Sequence, residues 1–132
     1  MKTIVTSGKR KRAIARVALK EGTGKLRVNN LSIDNFKPTM YKLKIQEPLL
    51  IASDISPKID IEVNINGGGM SSQADAARLG IAKALVQYSK GDKLKETFLN
   101  YDRTLLVGDV RRKEVCKPND SKARAKRQKS YR

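Results

Sequence analysis

Histidine and tryptophan are absent from this 132-residue chain, and cysteine occurs once, at Cys116. Without histidine there is no His-based catalytic triad and no Cys/His zinc site, and a single cysteine excludes a disulfide within the chain. One unpaired thiol suits a reducing compartment. Apolar runs are equally scarce: the longest, around Leu49–Ala52, is far too short to span a membrane. The basic N-terminus is not followed by an apolar segment of signal-peptide length, which predicts a cytosolic chain. Acids number 13 against 29 Lys and Arg, a formal net charge of +16. With apolar residues at 39%, the chain has room for one domain with a modest core.

The excess charge is unevenly placed. Residues 1–20 hold seven Lys or Arg and no acid, and residues 103–132 hold eleven against Asp109, Glu114 and Asp120. The intervening residues 21–102 are nearly neutral, with eleven basic and ten acidic side chains. A compact module with cationic extensions at both ends fits a polyanionic partner better than it fits a surface charged only for solubility. From Arg111 to Arg132 only Val115, Cys116, Ala123, Ala125 and Tyr131 are apolar. Such a segment buries too little surface to offset its ordering entropy, and is expected to be disordered in isolation. Against phosphates its self-repulsion becomes attraction, driven by counterion release. Membrane-binding helices interleave large apolar residues, and this segment has almost none. The expected partner is nucleic acid.

Within the middle, hydrophobic periodicity predicts an α/β (α+β) fold: a small mixed sheet with helices on one face. In Lys11–Lys20, Ala13, Ala15, Val17 and Leu19 alternate with polar positions, the mark of a half-buried strand. The turn Glu21-Gly22-Thr23-Gly24 and the return Lys25–Asn30 predict a hairpin whose outer face carries Arg12, Arg16 and Arg27. Tyr41–Ser53 reads as helical, with Pro48 opening a second short helix. Ile59–Asn66 alternates strictly and is the clearest strand. After Gly67-Gly68-Gly69, Ser72 and Asp75 predict a capping box for a helix with the stripe Ala74, Ala77, Ile81, Leu85 and Tyr88, ending at Gly91. A shorter helix over Asp92–Asn100 and a final strand over Thr104–Val107 complete the order. Residues 1–110 are thus expected to form the core, with a basic N-terminal strand region, and 111–132 an extended basic tail.

Three glycines between a strand and a helix can cradle phosphate or simply make a turn needing positive φ, and the turn is the simpler account. The loop lacks the Lys-Ser/Thr ending of a P-loop. Residues Gly67–Ala74 also resemble the strand–loop–helix of small-molecule kinases of the galactokinase–homoserine kinase type. Those enzymes are far larger, however, and Asp60, Glu62 and Asp75 read as surface or capping residues rather than an enclosed base. No catalysis and no cofactor or small-molecule substrate is expected.

The run Gly67-Gly68-Gly69, Ser72-Gln73, Ala76, Gly80 and Ala82-Lys83-Ala84 resembles the signature of the small ribosomal subunit protein nine family. Ser7-Gly8-Lys9-Arg10-Lys11 with Ala13 and Ala15-Arg16-Val17 is similar to that family's opening. Arg124 and Arg127-Gln128-Lys129-Ser130-Tyr131-Arg132 resemble the ending of its archaeal and eukaryotic branch. The resemblance implies a core like the second domain of ribosomal protein five and a place in the small-subunit head, beside neighbouring head proteins. It also implies a C-terminal tail threading rRNA toward the tRNA of the peptidyl site. Carried onto this chain, Lys129, Tyr131 and Arg132 would be tRNA-proximal. The rRNA contacts would be Arg10, Lys11, Arg12 and Arg16 on the body, and Arg111, Arg112, Lys113, Lys122, Arg124, Lys126 and Arg127 along the tail. Gly67, Gly68, Gly69, Ser72 and Gln73 would form a structural loop. A free basic RNA chaperone, or an architectural DNA-binding protein, is the alternative that charge alone leaves open.

Overall fold

The computed structural model describes residues 3–131. Five strands form one mixed sheet: β1 (Ile4–Arg10), β2 (Ala13–Glu21), β3 (Leu26–Val28), β4 (Leu31–Ser32) and β5 (Ile59–Asn66), in the order β1-β2-β5-β3-β4. Helix α1 spans Thr39–Ile51, α2 Met70–Ser89 and α3 Asp92–Tyr101. Only β3 and β5 run parallel; the other pairs are antiparallel. The mixed sheet and helical cover match the expected α+β class.

The central helix α2 lies against β1 and β2, and α1 packs against α2. Ala13, Ala15, Val17 and Leu19 point into the core from β2, as their alternation predicts, and Ile59, Ile61, Val63 and Ile65 do so from β5. Ala74, Ala77, Ile81 and Leu85 are buried as the stripe predicts, and Tyr88 is half-buried. Burial extends further round α2, to Ala76, Leu79, Gly80, Ala82 and Ala84, because the helix has neighbours on two sides.

Strand β1 is not evident from hydrophobic alternation because its inward face holds Gly8, not a large apolar residue. A Cβ on Gly8 would overlap the Ala76 carbonyl oxygen, and one on Gly80 would lie 2.7 Å from Val17 Cγ2. The two glycines let the α2 backbone approach the sheet, and Thr6 Oγ1 donates to the Gly80 carbonyl at 2.8 Å.

Five local expectations are corrected. β3 does not form a hairpin with β2: β5 inserts between them, pairing antiparallel with β2 from Ile14↔Asn66 to Glu21↔Ile59 and parallel with β3. The Glu21–Gly24 turn instead wraps the Asp60 carboxylate, which accepts from the Thr23 and Lys25 amides at 2.8 and 2.9 Å. Those amides hold Asp60 below the usual carboxylate range. The true hairpin joins β1 to β2 through Lys11 and Arg12, with Lys11 at φ +52°. Pro48 does not open a second helix; α1 runs through it with the proline ring fully buried, an apolar gain set against the backbone donor that proline lacks.

The N-cap of α2 is Gly69 with no side-chain cap, so Ser72 and Asp75 lie inside the helix rather than forming a capping box. Lys90, at φ +50°, takes the left-handed position at the end of α2, and Gly91 becomes the N-cap of α3. Arg103–Leu105 is a 3₁₀ turn, not a strand: Asp102 accepts from the Thr104 amide at 2.8 Å and curls the chain so that Leu105 enters the core. Beyond Leu105 the described residues contain no helix or strand. No helix among the described residues is long and apolar enough to cross a membrane.

Candidate nucleic-acid interface

Three segments distant in sequence meet at one end of the sheet. The β1–β2 turn brings Arg10, Lys11 and Arg12; the loop between β5 and α2 brings Gly68, Gly69 and Ser72; and the chain leaving the core brings Arg111 to Cys116. They line a groove of about 960 Å³. Six of its residues are cationic and one, Glu114, is acidic. The first turn of the twenty-residue helix α2 opens onto the same groove, adding backbone N–H groups and the positive end of the helix dipole.

Gly67 and Gly68 have φ of +75° and +69°, and a Cβ on them would lie 2.7 Å from the Arg12 carbonyl oxygen and 2.9 Å from the Ala13 nitrogen. Both therefore serve the turn, which is the reading their sequence favoured. Gly69 differs. Its φ is −98°, and a Cβ there would meet nothing within 4 Å. No contact among the described residues demands glycine at that place. Gln73 fastens the loop by donating Nε2 to the Gly67 carbonyl at 3.1 Å.

The cations are held in different ways. Arg10, at the end of β1, is mostly buried and ion-paired through Nη1 with Asp109. Its Nε lies 3.8 Å from Asp75, whose other oxygen is 2.5 Å from Lys44 Nζ. Arg111 forks onto Asp109, with Nε at 2.9 Å and Nη2 at 2.6 Å from Oδ2. The side chain and amide of Arg111 hold the Asp109 carboxyl well below the usual range. Arg112 Nη1 donates to the Lys11 carbonyl at 2.5 Å, joining the departing chain to the hairpin turn. Lys11, Arg12 and Lys113 are exposed.

Arg16 lies outside this groove, on the sheet face that carries no helix, between Ser7 and Asn64 on the neighbouring strands. Arg27 is exposed opposite Glu62. Further along, Arg124 forks onto Glu114, with Nε 2.9 Å from Oε2 and Nη2 2.7 Å from Oε1, so the only acid of the groove is already paired. That hydrogen bonding lowers the Glu114 pKa. The chain turns between them, where the Asp120 amide donates to the Lys117 carbonyl. Lys126, Arg127 and Lys129 line a separate concavity at this bend, while Lys122 and Tyr131 are exposed. Arg132 lies outside the described residues. Cys116 is exposed.

Sequence reading missed the acids that organise these cations, Asp109 and Glu114, and the buried Arg78. The signal for Arg78 was available: an arginine inside an Ala-rich helical stripe needs partners. It finds Glu47 at 2.5 Å and Asp102 at 2.9 Å. Among the described residues no cluster of three or more metal-ligating side chains occurs.

A profile described as ribosomal protein S9/S16 matches residues 8–132. The chain belongs to this family. Proteins called small ribosomal subunit protein uS9 from Methanococcus maripaludis strains C7 and C5 and from Methanococcus vannielii are each 48% identical over 134 residues, covering the whole of both chains. The S9 relatives are archaeal small-subunit proteins, in line with the branch that the ending of the sequence resembles, and they are ribosomal rather than enzymatic. The glycine loop, which alone could suggest a kinase, lies within the residues that this profile matches.

Proposed function

We propose that this chain is a structural constituent of the head of the small ribosomal subunit and acts in translation in the cytoplasm. In this reading it binds rRNA through the groove at the β1–β2 turn and through residues 111–132, and its last residues reach the tRNA of the peptidyl site. The observation that carries the reading is the convergence of six cations and a helix N-terminus on one groove, in a chain whose only groove acid is paired. Arg10, Lys11, Arg12, Arg111, Arg112 and Lys113 meet phosphates there; Arg16 contacts rRNA from the open sheet face. Lys122, Arg124, Lys126 and Arg127 follow the rRNA path, with Arg124 exchanging its exposed Glu114 partner for phosphate at little cost.

Arginine suits these positions because its planar fork holds phosphate by two bonds and stacks on bases. Nothing in the groove presents a pattern for reading base edges, so the contacts position the protein rather than read sequence. At the tail's end, Lys129 and Arg132 supply charge, and exposed Tyr131 supplies a face for stacking on a base or sugar.

A photoreactive residue at position 131, crosslinked in cells and followed by sequencing of the attached RNA, tests this. The expected adducts are tRNA anticodon stem-loops and nearby small-subunit rRNA. Adducts scattered over mRNA or DNA would replace the ribosomal reading with the chaperone one, and adducts to rRNA alone would remove the tail from the tRNA.

A further inference from the structure

An acid at the root of a cationic tail works against phosphate binding, so Asp109 calls for a separate reason. Its surroundings supply one. Oδ1 accepts from the Arg111 amide at 2.8 Å, Oδ2 accepts from the Arg111 guanidinium, and Arg10 Nη1 from β1 pairs with the same Oδ2. Arg10 in turn lies beside Asp75 of α2, which holds Lys44 of α1. One chain of alternating charges thus runs from α1 through α2 and β1 to the first residues of the tail. A second fastening, Arg112 to the Lys11 carbonyl, lies next to it.

Apolar packing offers no substitute. Val110 and Val115 are 89% and 91% exposed, and every residue from Val110 to Cys116 is exposed. We propose that Asp109 is a positioning residue: it clamps the root of the C-terminal segment to Arg10 of β1 and so sets the direction in which the segment leaves the body. The proposal rests on the reading that residues 111–132 reach along RNA, and gives that reach a fixed starting line. A segment aimed before binding loses less freedom on meeting its phosphates than one that swings freely. The alternative role for Asp109 is to relieve repulsion between Arg10 and Arg111 without directing anything.

Cys116, exposed and unique, is a ready site for a spin label. Paired with a second label at Glu96→Cys on α3, it reports the tail-to-body distance distribution in the purified full-length protein. The expected parent distribution is narrow, Asp109→Asn widens it about twofold or more, and Asp109→Glu restores much of it. Arg10→Gln separates the two roles: it lowers repulsion yet breaks the clamp, so positioning predicts widening. A label pair within the body, at Glu96→Cys and Lys58→Cys in a Cys116→Ser background, should not change.

A parent distribution as wide as that of Asp109→Asn would overturn the proposal, as would an Arg10→Gln distribution no wider than the parent. Widening of the body pair would overturn it too, by making Asp109 a residue of general stability. Because these distances are measured on the protein free of RNA, they stand or fall apart from the crosslinks at position 131.

Discussion

Arg78 places Nη2 2.9 Å from Asp102 Oδ2, tying the middle of α2 to the turn that follows α3. Its Nε lies 2.5 Å from Glu47 of α1, and its Nη1 donates to Thr104 Oγ1 at 3.2 Å. Tyr101 completes the cluster by donating to Glu47 at 2.8 Å. Arg78 is 8% exposed, so removing it strands two carboxylates that are themselves only partly hydrated. Arg78→Ala should cost about 2–4 kcal/mol, toward the lower end for such pairs because water reaches Glu47 and Asp102. Arg78→Met, which keeps the packing, should cost less. Urea unfolding midpoints at neutral pH check both, and equal loss in the two variants would mean that the charge pairing both have lost, rather than packing, carries the whole cost.

The acids of this protein fix the shape of its pH–stability curve. Asp60, Asp102, Asp109 and Glu114 all have lowered pKa values in the folded state: backbone amides act on Asp60, backbone and side-chain partners on Asp102 and Asp109, and the Arg124 fork on Glu114. A lowered folded pKa means that the unfolded chain takes up protons first as pH falls. Stability from these groups is therefore fully present above their unfolded pKa values, near 4, and is lost as pH drops through the folded values. With no histidine in the chain, no side chain of that type titrates between pH 5 and 8. Melting temperature should stay level from about pH 5.5 to 8 and fall below about pH 4.5. A steep slope near neutrality would contradict this.

Regular elements with strong apolar periods were legible in the sequence: β2, β5, α2 and α3 appear where Val17, Ile61, Ile81 and Phe98 predict them. Pairing was not legible. A turn at Gly22–Gly24 fits a hairpin equally well whether or not another strand inserts, and only the full β2–β5 register decides. β1 escaped because tight packing under Gly8 and Gly80 replaces the large apolar side chains that alternation depends on. For the interface, the cations were evident from charge distribution, but their convergence was not. Lys11 and Arg112 are 101 residues apart, and the hydrogen bond joining them depends on how the core folds.

Glycines of the β5–α2 loop should separate by function. Gly67→Ala and Gly68→Ala force left-handed backbone on alanine and press Cβ against the β1–β2 turn, and should each cost about 1–3 kcal/mol. Gly69→Ala meets no atom and keeps an ordinary φ, so its effect should stay within about 1 kcal/mol, the modest loss of replacing glycine at an N-cap. Thermal melts of the three variants rank them, and a Gly69→Ala loss as large as that of Gly68→Ala would refute the distinction.

Charge in the groove should be visible in salt dependence. Each phosphate contact contributes roughly −0.7 to −0.9 to the slope of log affinity against log salt. Replacing exposed Lys11, Arg12 and Lys113 by Gln should lower that slope by about 1 for each residue, and weaken binding to small-subunit rRNA fragments without changing preference among sequences. Filter binding over a salt series measures it. An unchanged slope would place these residues away from phosphate.

Truncation tests whether the tail divides labour with the groove. Lys129–Arg132 are distant from the β1–β2 turn in sequence, and of these Lys129, Ser130 and Tyr131 line no part of the groove. Removing them leaves Arg111, Arg112 and Lys113 to hold the body on rRNA, so small subunits should assemble with the truncated protein at the normal ratio. What should weaken is retention of peptidyl-site tRNA, because the deletion takes two cations and the stacking face of Tyr131 from that contact. Tyr131→Ala alone should lose part of the effect if stacking matters, whereas Lys129→Gln should lose a part that shrinks as salt rises. Sucrose-gradient profiles report assembly, and tRNA dissociation from purified small subunits reports retention. Failure of assembly in the truncated strain would mean that these last residues hold the head together instead, and that the tail is a continuation of the rRNA interface.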